Sequence, residues 1–199
     1  MAELRELPGG GPVNEGERRV VAQLASQLPA GYFLLPNIEF HDSHSGQTYE
    51  YDCICVAPHA VYAIEIKDWR GDIEGDLHEW TVNGESRLAP NKGIERKAKV
   101  LKGRLTSAMS ALSPVRVEGI VILASPPASL KLSDEAKLRV LSLGKSVHWL
   151  QDPTEIGRRP NEIATLHSSI LQVLSSGVQA RSGPRAFGAY QVEELLEQS

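Results

Sequence analysis

The sequence predicts an α/β fold in which helices flank a central sheet. Residues 51–57 and 60–66 are rich in Val, Ile, Tyr and Cys with almost no apolar/polar alternation, as in strands buried on both faces. Ile94, Ala98, Leu101, Leu105, Ala108 and Leu112 recur at helical spacing and form one apolar stripe. Val115 to Ala124 then reads as a further buried strand, so strands and helices alternate along the chain.

Taken in order, residues 1–13 are expected to be a flexible lead-in, and residues 14–175 one domain. Asn14 followed by Glu17 matches a capping box at the start of a helix whose apolar stripe is Val20, Val21, Leu24 and Leu28. Tyr32 to Phe40 is a strand, and His41 to Gly46 a polar loop. His41, Asp42 and His44 are conceivable metal ligands, but a loop between hairpin strands accounts for them more simply. Pro58-His59 is a short turn between the two buried strands. Gly71 to Leu88 contains Asn83-Gly84, a hairpin-turn signal, and is expected to form a small β insertion packed by Trp69 and Trp80. A base stacking on either tryptophan is the alternative reading. Ser125-Pro126-Pro127 ends the later strand. Leu138 to Leu150 is expected to add one or two strands, including Val147 to Leu150. A last helix starting at Asp152 or Thr154 places Ile156, Ile163, Leu166, Ile170, Leu171 and Leu174 on the sheet. Residues 176–186 read as a linker.

Composition sets limits on function. The 199 residues, 41% hydrophobic and 23% charged, suit one globular domain with a real core. No run is long enough for a transmembrane helix, and Met1 to Pro12 lacks the apolar centre of a signal peptide, so the cytosol is the expected compartment. Cys53 and Cys55 lie two apart on one strand and read as buried thiols, without the further ligands of a zinc finger. The net charge of −4 does not favour a nucleic-acid partner, but its distribution does. Lys92, Arg96, Lys97, Lys99, Lys102 and Arg104 stand against Glu95 alone on the amphipathic helix. Such a face can track a phosphate backbone, or it can be a solvated surface.

The chemistry lies in Asp52, Glu65 and Lys67. A turn at residues 58–59 pairs Val56 with Val61, Ile54 with Ala63, and Asp52 with Glu65, so two carboxylates become cross-strand neighbours roughly 5 Å apart at Cβ. Lys67 projects from the same face as Glu65. Like charges opposed in an apolar sheet call for a cation between them, and Mg²⁺ is commonly held by one or two carboxylates plus waters and phosphate. With a lysine beside it, this set suits metal-assisted phosphodiester hydrolysis. An ordinary solvent-facing ion pair on an edge strand is the alternative for Glu65 and Lys67.

Asp52, the Glu65-Ile66-Lys67 triplet ending an apolar strand, and the following Trp69-Arg70-Gly71 resemble the nuclease-related domain (NERD) family of the PD-(D/E)XK nuclease superfamily, over roughly residues 14–124. The resemblance implies a restriction-endonuclease-like αβββαβ core with a mixed sheet and a small β-hairpin insertion. It implies Mg²⁺, with Mn²⁺ able to substitute, on Asp52 and Glu65, with the Ile66 carbonyl as a further candidate ligand. Lys67 would be catalytic, and Glu17, or Glu15 if the register shifts, would be the additional acidic residue of the first helix. DNA is the implied substrate, bound by Lys92, Arg96, Lys97, Lys99 and Lys102, with a homodimer as a candidate assembly for cutting two strands. The family's Asn-Pro and glutamine at the start of the second helix are absent: the order here is Pro90-Asn91, with no glutamine between 91 and 105. The run Arg96 to Lys102 resembles instead the variant at the front of large kinase-fused members. Phe187 to Glu197 resembles the lead-in to a protein kinase, which implies an attached kinase domain and a phage-defence setting; a short terminal helix is the alternative. A catalytically silent DNA-binding or partner-binding sensor for that kinase is the second functional reading.

Overall fold

The computed structural model describes residues 1–6, 10–42, 45–156, 162–176 and 179–180. In chain order these form β1 (Glu3–Leu4), α1 (Glu15–Gln27), β2 (Phe33–Asp42), β3 (Gln47–Val56), β4 (Val61–Lys67), β5 (Asp72–Gly75), β6 (Glu79–Val82), β7 (Glu85–Leu88) and α2 (Pro90–Ala108). There follow β8 (Val117–Leu123), β9 (Ser129–Leu132), α3 (Asp134–Lys137), β10 (Val140–Ser142), α4 (Leu143–Gln151), α5 (His167–Ser175) and β11 (Gln179–Ala180).

The main sheet has the order β1-β2-β3-β4-β8-β10, with β11 also on β2. β2, β3 and β4 are antiparallel, whereas β4–β8 and β8–β10 are parallel, with α2 crossing over between β4 and β8. Read as α1, β2, β3, β4, α2, β8, this is the restriction-endonuclease-like αβββαβ core.

The missing alternation in β3 and β4 has its cause in two apolar layers. On one face Ile54, Ala63 and Val121 meet Ile94, Leu101 and Leu105 of α2 and Ile170 and Leu174 of α5. On the other, Cys53, Ile64 and Ile122 meet Val20 and Leu24 of α1 and Leu150 of α4. Cys53 and Cys55 are buried free thiols.

The β3–β4 register is Val56↔Val61, Ile54↔Ala63 and Cys53↔Ile64, as the two-residue turn requires. Further along β3, the α2 layer takes Tyr49 and Tyr51 as well as Ile54 and Val56; on β2 it takes Leu35, then Ile38 and Phe40. Both strands therefore change phase at Asn37, whose φ of 50° lies in the left-handed region, and at Asp52 across from it.

Several expectations are corrected. β2 and β3 run on through His41 and Asp42 and from Gln47, which shortens the expected loop. The insertion is a four-stranded sheet, β7-β6-β5-β9, because Ser129–Leu132 returns to pair in parallel with β5. Val147 to Leu150 is not a strand but lies in α4. Leu143, Val147 and Leu150 are spaced for a helix, and a short apolar run does not distinguish the two periods. The last helix starts at His167 rather than near Asp152; Pro153–Ile156 and Ala164–Leu166 are 3-10 turns. Glu3–Leu4, within the expected flexible lead-in of residues 1–13, pairs with Phe33–Leu34. Gln179–Ala180, within the expected linker, pairs with β2. Residues 181–186 and the kinase-like segment 187–199 lie outside the described residues. Among the described residues no helix is long and apolar enough to cross a membrane.

Candidate active site

The β3–β4 ladder stops at Cys53↔Ile64, one step short of Asp52 and Glu65. There the Asp52 side chain takes over the pairing: its Oδ2 accepts a hydrogen bond from the Ile66 N–H at 2.7 Å. Ile64 and Ile66 point into the α1 layer, so the strand period turns Glu65 and Lys67 toward α2. Lys67 Nζ donates to Glu65 Oε1 at 2.6 Å, and Lys97 Nζ of α2 donates to Glu65 Oε2 at 2.7 Å. These side chains are only 14%, 26% and 19% exposed for Glu65, Lys67 and Lys97. Two contacts hold α2 this close. The Tyr51 hydroxyl donates to the Lys97 carbonyl at 2.8 Å, and Gly119 lets the helix backbone approach β8, since a Cβ there would lie 2.7 Å from the Ile94 carbonyl oxygen.

The charges of this cluster oppose one another. Burial, and then the Glu65 charge, push Asp52 up to about 7, against the pull of Lys97 and Lys67. Burial also works against Glu65 ionising, but Lys67 and Lys97 together outweigh it and hold this carboxyl well below its ordinary range. Burial disfavours the Lys67 charge, yet Glu65 and Asp52 outweigh it and raise the ammonium above its ordinary value.

Glu17 closes the helix cap, as its spacing from Asn14 predicts. It is buried, its N–H donates to Asn14 Oδ1, and its carboxylate accepts from Val13 N at 2.8 Å and Asn14 Nδ2 at 2.6 Å, closing the capping box. It also stands near enough to Asp52 for its charge to raise that carboxyl further. Glu15 is instead exposed and paired with Arg18.

The basic residues of α2 divide. Lys92 and Arg96 are exposed, with Lys92 Nζ 2.8 Å from His78 Nδ1 and Arg96 donating to Gln47 Oε1 at 2.8 Å; Lys99 is exposed as well. The other two do not share that outward face. Lys97 lies at the edge of the apolar stripe, one turn from Ile94 and Leu101, and turns in to Glu65. Lys102 donates to the carbonyls of Leu112, Ser113 and Val115, pinning the loop ahead of β8.

Sequence reasoning missed a second cluster beside Lys67. Arg19 of α1 donates to Asp68 Oδ1 at 2.9 Å and to Ser125 Oγ at 3.0 Å, and the Ser125 hydroxyl donates to Asp68 Oδ1 at 2.5 Å. The Ser125 hydrogen bond, with the Arg19 charge behind it, holds Asp68 below its ordinary value despite partial burial. This brace joins α1, the end of β4 and the end of β8; no motif announces it, because its three members are far apart in sequence. Trp80 is fully buried, as core packing requires, and Trp69 packs edge-on against it with ring centroids 5.8 Å apart. Lys67 Nζ lies 5.7 Å from the Trp69 ring centre. Of the loop candidates, His41 faces Thr48, Asp42 accepts from Ser45, and His44 lies outside the described residues.

Among the described residues no three His, Cys, Asp or Glu side chains gather as a metal cluster. Asp52 and Glu65 nonetheless fit one hard divalent ion by donor chemistry, since both offer carboxylate oxygens, Asp52 buried and Glu65 14% exposed. Because each Glu65 oxygen already meets an ammonium, an ion bound there replaces at least one of those contacts.

The family described as Nuclease-related domain matches residues 12–124. A curated relative, "Probable kinase PglW" of Streptomyces coelicolor (strain ATCC BAA-471 / A3(2) / M145), is 26% identical over 187 residues. That alignment covers 90% of this chain but 12% of the relative. No solved structure matches.

Proposed function

The chain belongs to the nuclease-related domain family, and we propose that it is a metal-dependent nuclease hydrolysing phosphodiester bonds in DNA. The observation that carries this reading is the Glu65 carboxylate set between Lys67 and Lys97 and next to Asp52. In it, Asp52 and Glu65 would hold Mg²⁺, with Mn²⁺ as a substitute, and Glu17 would serve a second ion or its water. Such an ion supplies Lewis-acid polarisation of a phosphoryl oxygen and a water of lowered pKa. Lys67 would orient the attacking water and offset the charge that builds on the phosphate. Lys92, Arg96 and Lys99 track the sugar-phosphate backbone.

The test is cleavage of supercoiled and linear DNA by the parent and by Glu65→Ala, with Mg²⁺, with Mn²⁺ and with chelator. Cutting that needs both the metal and Glu65 supports the proposal. Lys67→Ala is expected to stay folded and lose cleavage; a variant that cuts at the parent's rate would overturn the assigned role.

A second reading has its own observation: each Glu65 oxygen is already paired with a lysine ammonium. Together with a relative named as a kinase, this suits a DNA sensor, residues 14–175, attached to a kinase in phage defence. Binding of DNA with equal affinity in chelator and in Mg²⁺, without cleavage, would favour it.

A further inference from the structure

In the small second sheet, β6 and β7 place Arg87 directly opposite Trp80. Opposed residues of an antiparallel pair share a face, so Arg87 projects to the side on which the buried Trp80 packs against Trp69, two residues past the end of β4. This mounting is firm. The Trp80 indole donates to the Asp76 carbonyl at 2.9 Å, and Asn83, in the turn between β6 and β7, donates to the Arg70 carbonyl at 2.9 Å and accepts from the Asp72 N–H at 2.9 Å. One half-buried ring thus gathers cations from two sheets, with Lys67 Nζ 5.7 Å and the Arg87 guanidinium carbon 6.0 Å from the Trp69 ring centre. Lys67 is tied to Glu65, but the guanidinium is only loosely engaged. Its Nε is buried without an acceptor, and its ion pair, at 2.7 Å, is with Glu85, a side chain 73% exposed. A carboxylate that open to water holds weakly and yields to a phosphate, which a planar guanidinium grips with two parallel N–H donors.

We propose, on the reading of the chain as a DNA-binding domain, that Arg87, steadied on the Trp69 ring, binds a backbone phosphate of the strand next to the one at Lys67. The second sheet is then part of the substrate-binding surface, a contact separate from those of α2. Glu85 is the placeholder that this phosphate displaces.

The test measures binding of a labelled DNA duplex to the full chain in chelator, by fluorescence anisotropy against salt concentration. Arg87→Gln is expected to melt with the parent, weaken binding several-fold and lower the salt slope by about 1, as for one lost phosphate contact. Arg87→Lys is expected to keep the slope while affinity still falls, because an ammonium has no fork. Glu85→Gln is expected to tighten binding, and that gain should vanish when Arg87→Gln is added, whereas a general charge effect would persist in the double variant. A parent that binds DNA while Arg87→Gln keeps its affinity and slope, or a Glu85→Gln gain that survives the loss of Arg87, overturns the subsite and leaves the DNA reading standing. A parent that binds no duplex, in chelator or in Mn²⁺, overturns the DNA reading and the subsite together.

Discussion

Lys97 Nζ and Glu65 Oε2 meet at 2.7 Å across 32 residues of sequence, which makes the helix a contributor to the strand's carboxylate site. Lys97→Met is therefore expected to reduce cleavage about 10²-fold or more, as when one preorganised charge donor is lost from an active site. Lys97→Arg should not restore it, since a guanidinium is a planar fork that does not take an ammonium's place. Single-turnover cleavage at saturating DNA checks both. Unchanged rates would mean that Lys97 serves packing alone.

Asp52 gives the metal-free protein an unusual pH profile. Its folded value, about 7, lies above its ordinary 3.8, so between those limits the folded chain keeps a proton that the unfolded chain has released. Stability in chelator should therefore fall as pH rises from about 4 to about 7 and level off above, a decline that Asp52→Asn removes. Glu65 has the opposite sign: held low by its lysines, it contributes fully above its ordinary 4.5 and loses that contribution as pH falls further. Urea denaturation across this range, parent against Asp52→Asn, measures the difference.

Gly119→Ala is expected to destabilise the fold by about 1–3 kcal/mol, the usual range for overpacking, because the new methyl meets the Ile94 carbonyl oxygen at 2.7 Å. Cleavage should fall more than the melting temperature suggests, because displacing α2 also moves Lys97. Thermal melts and cleavage rates on the same preparation test this.

The basic helix should split into two behaviours. Lys102→Met withdraws a donor from three carbonyls and is expected to cost about 1–3 kcal/mol while DNA affinity stays the same. Arg96→Glu and Lys99→Glu should leave stability nearly unchanged, weaken DNA binding, and each lower the salt slope by about 1. Fluorescence anisotropy against salt concentration, beside thermal melts, distinguishes the two groups.

Much of this arrangement was legible in the sequence where local geometry decides it. A two-residue turn at Pro58-His59 left one register open, and the ladder follows it from Val56↔Val61 to Cys53↔Ile64, ending one step before Asp52 and Glu65. The Asn14 and Glu17 pair announced the start of α1 through backbone donors that every helix must satisfy. Lys97 was harder to place, because at the edge of an apolar stripe a lysine can turn either way and the partner that decides it lies on another element. The return of Ser129–Leu132 to β5 and the Arg19–Asp68–Ser125 brace were invisible for a related reason: each joins segments whose meeting depends on the whole fold.

The small second sheet interrupts the chain between Lys67 and Lys97, so the halves of the charge cluster are fastened to its two ends. β9 enters it from beyond β8, lacing it to the opposite side of the same crossover. It is thus a spacer held from both sides, and the separation of Lys67 from the start of α2 follows from how its four strands pair.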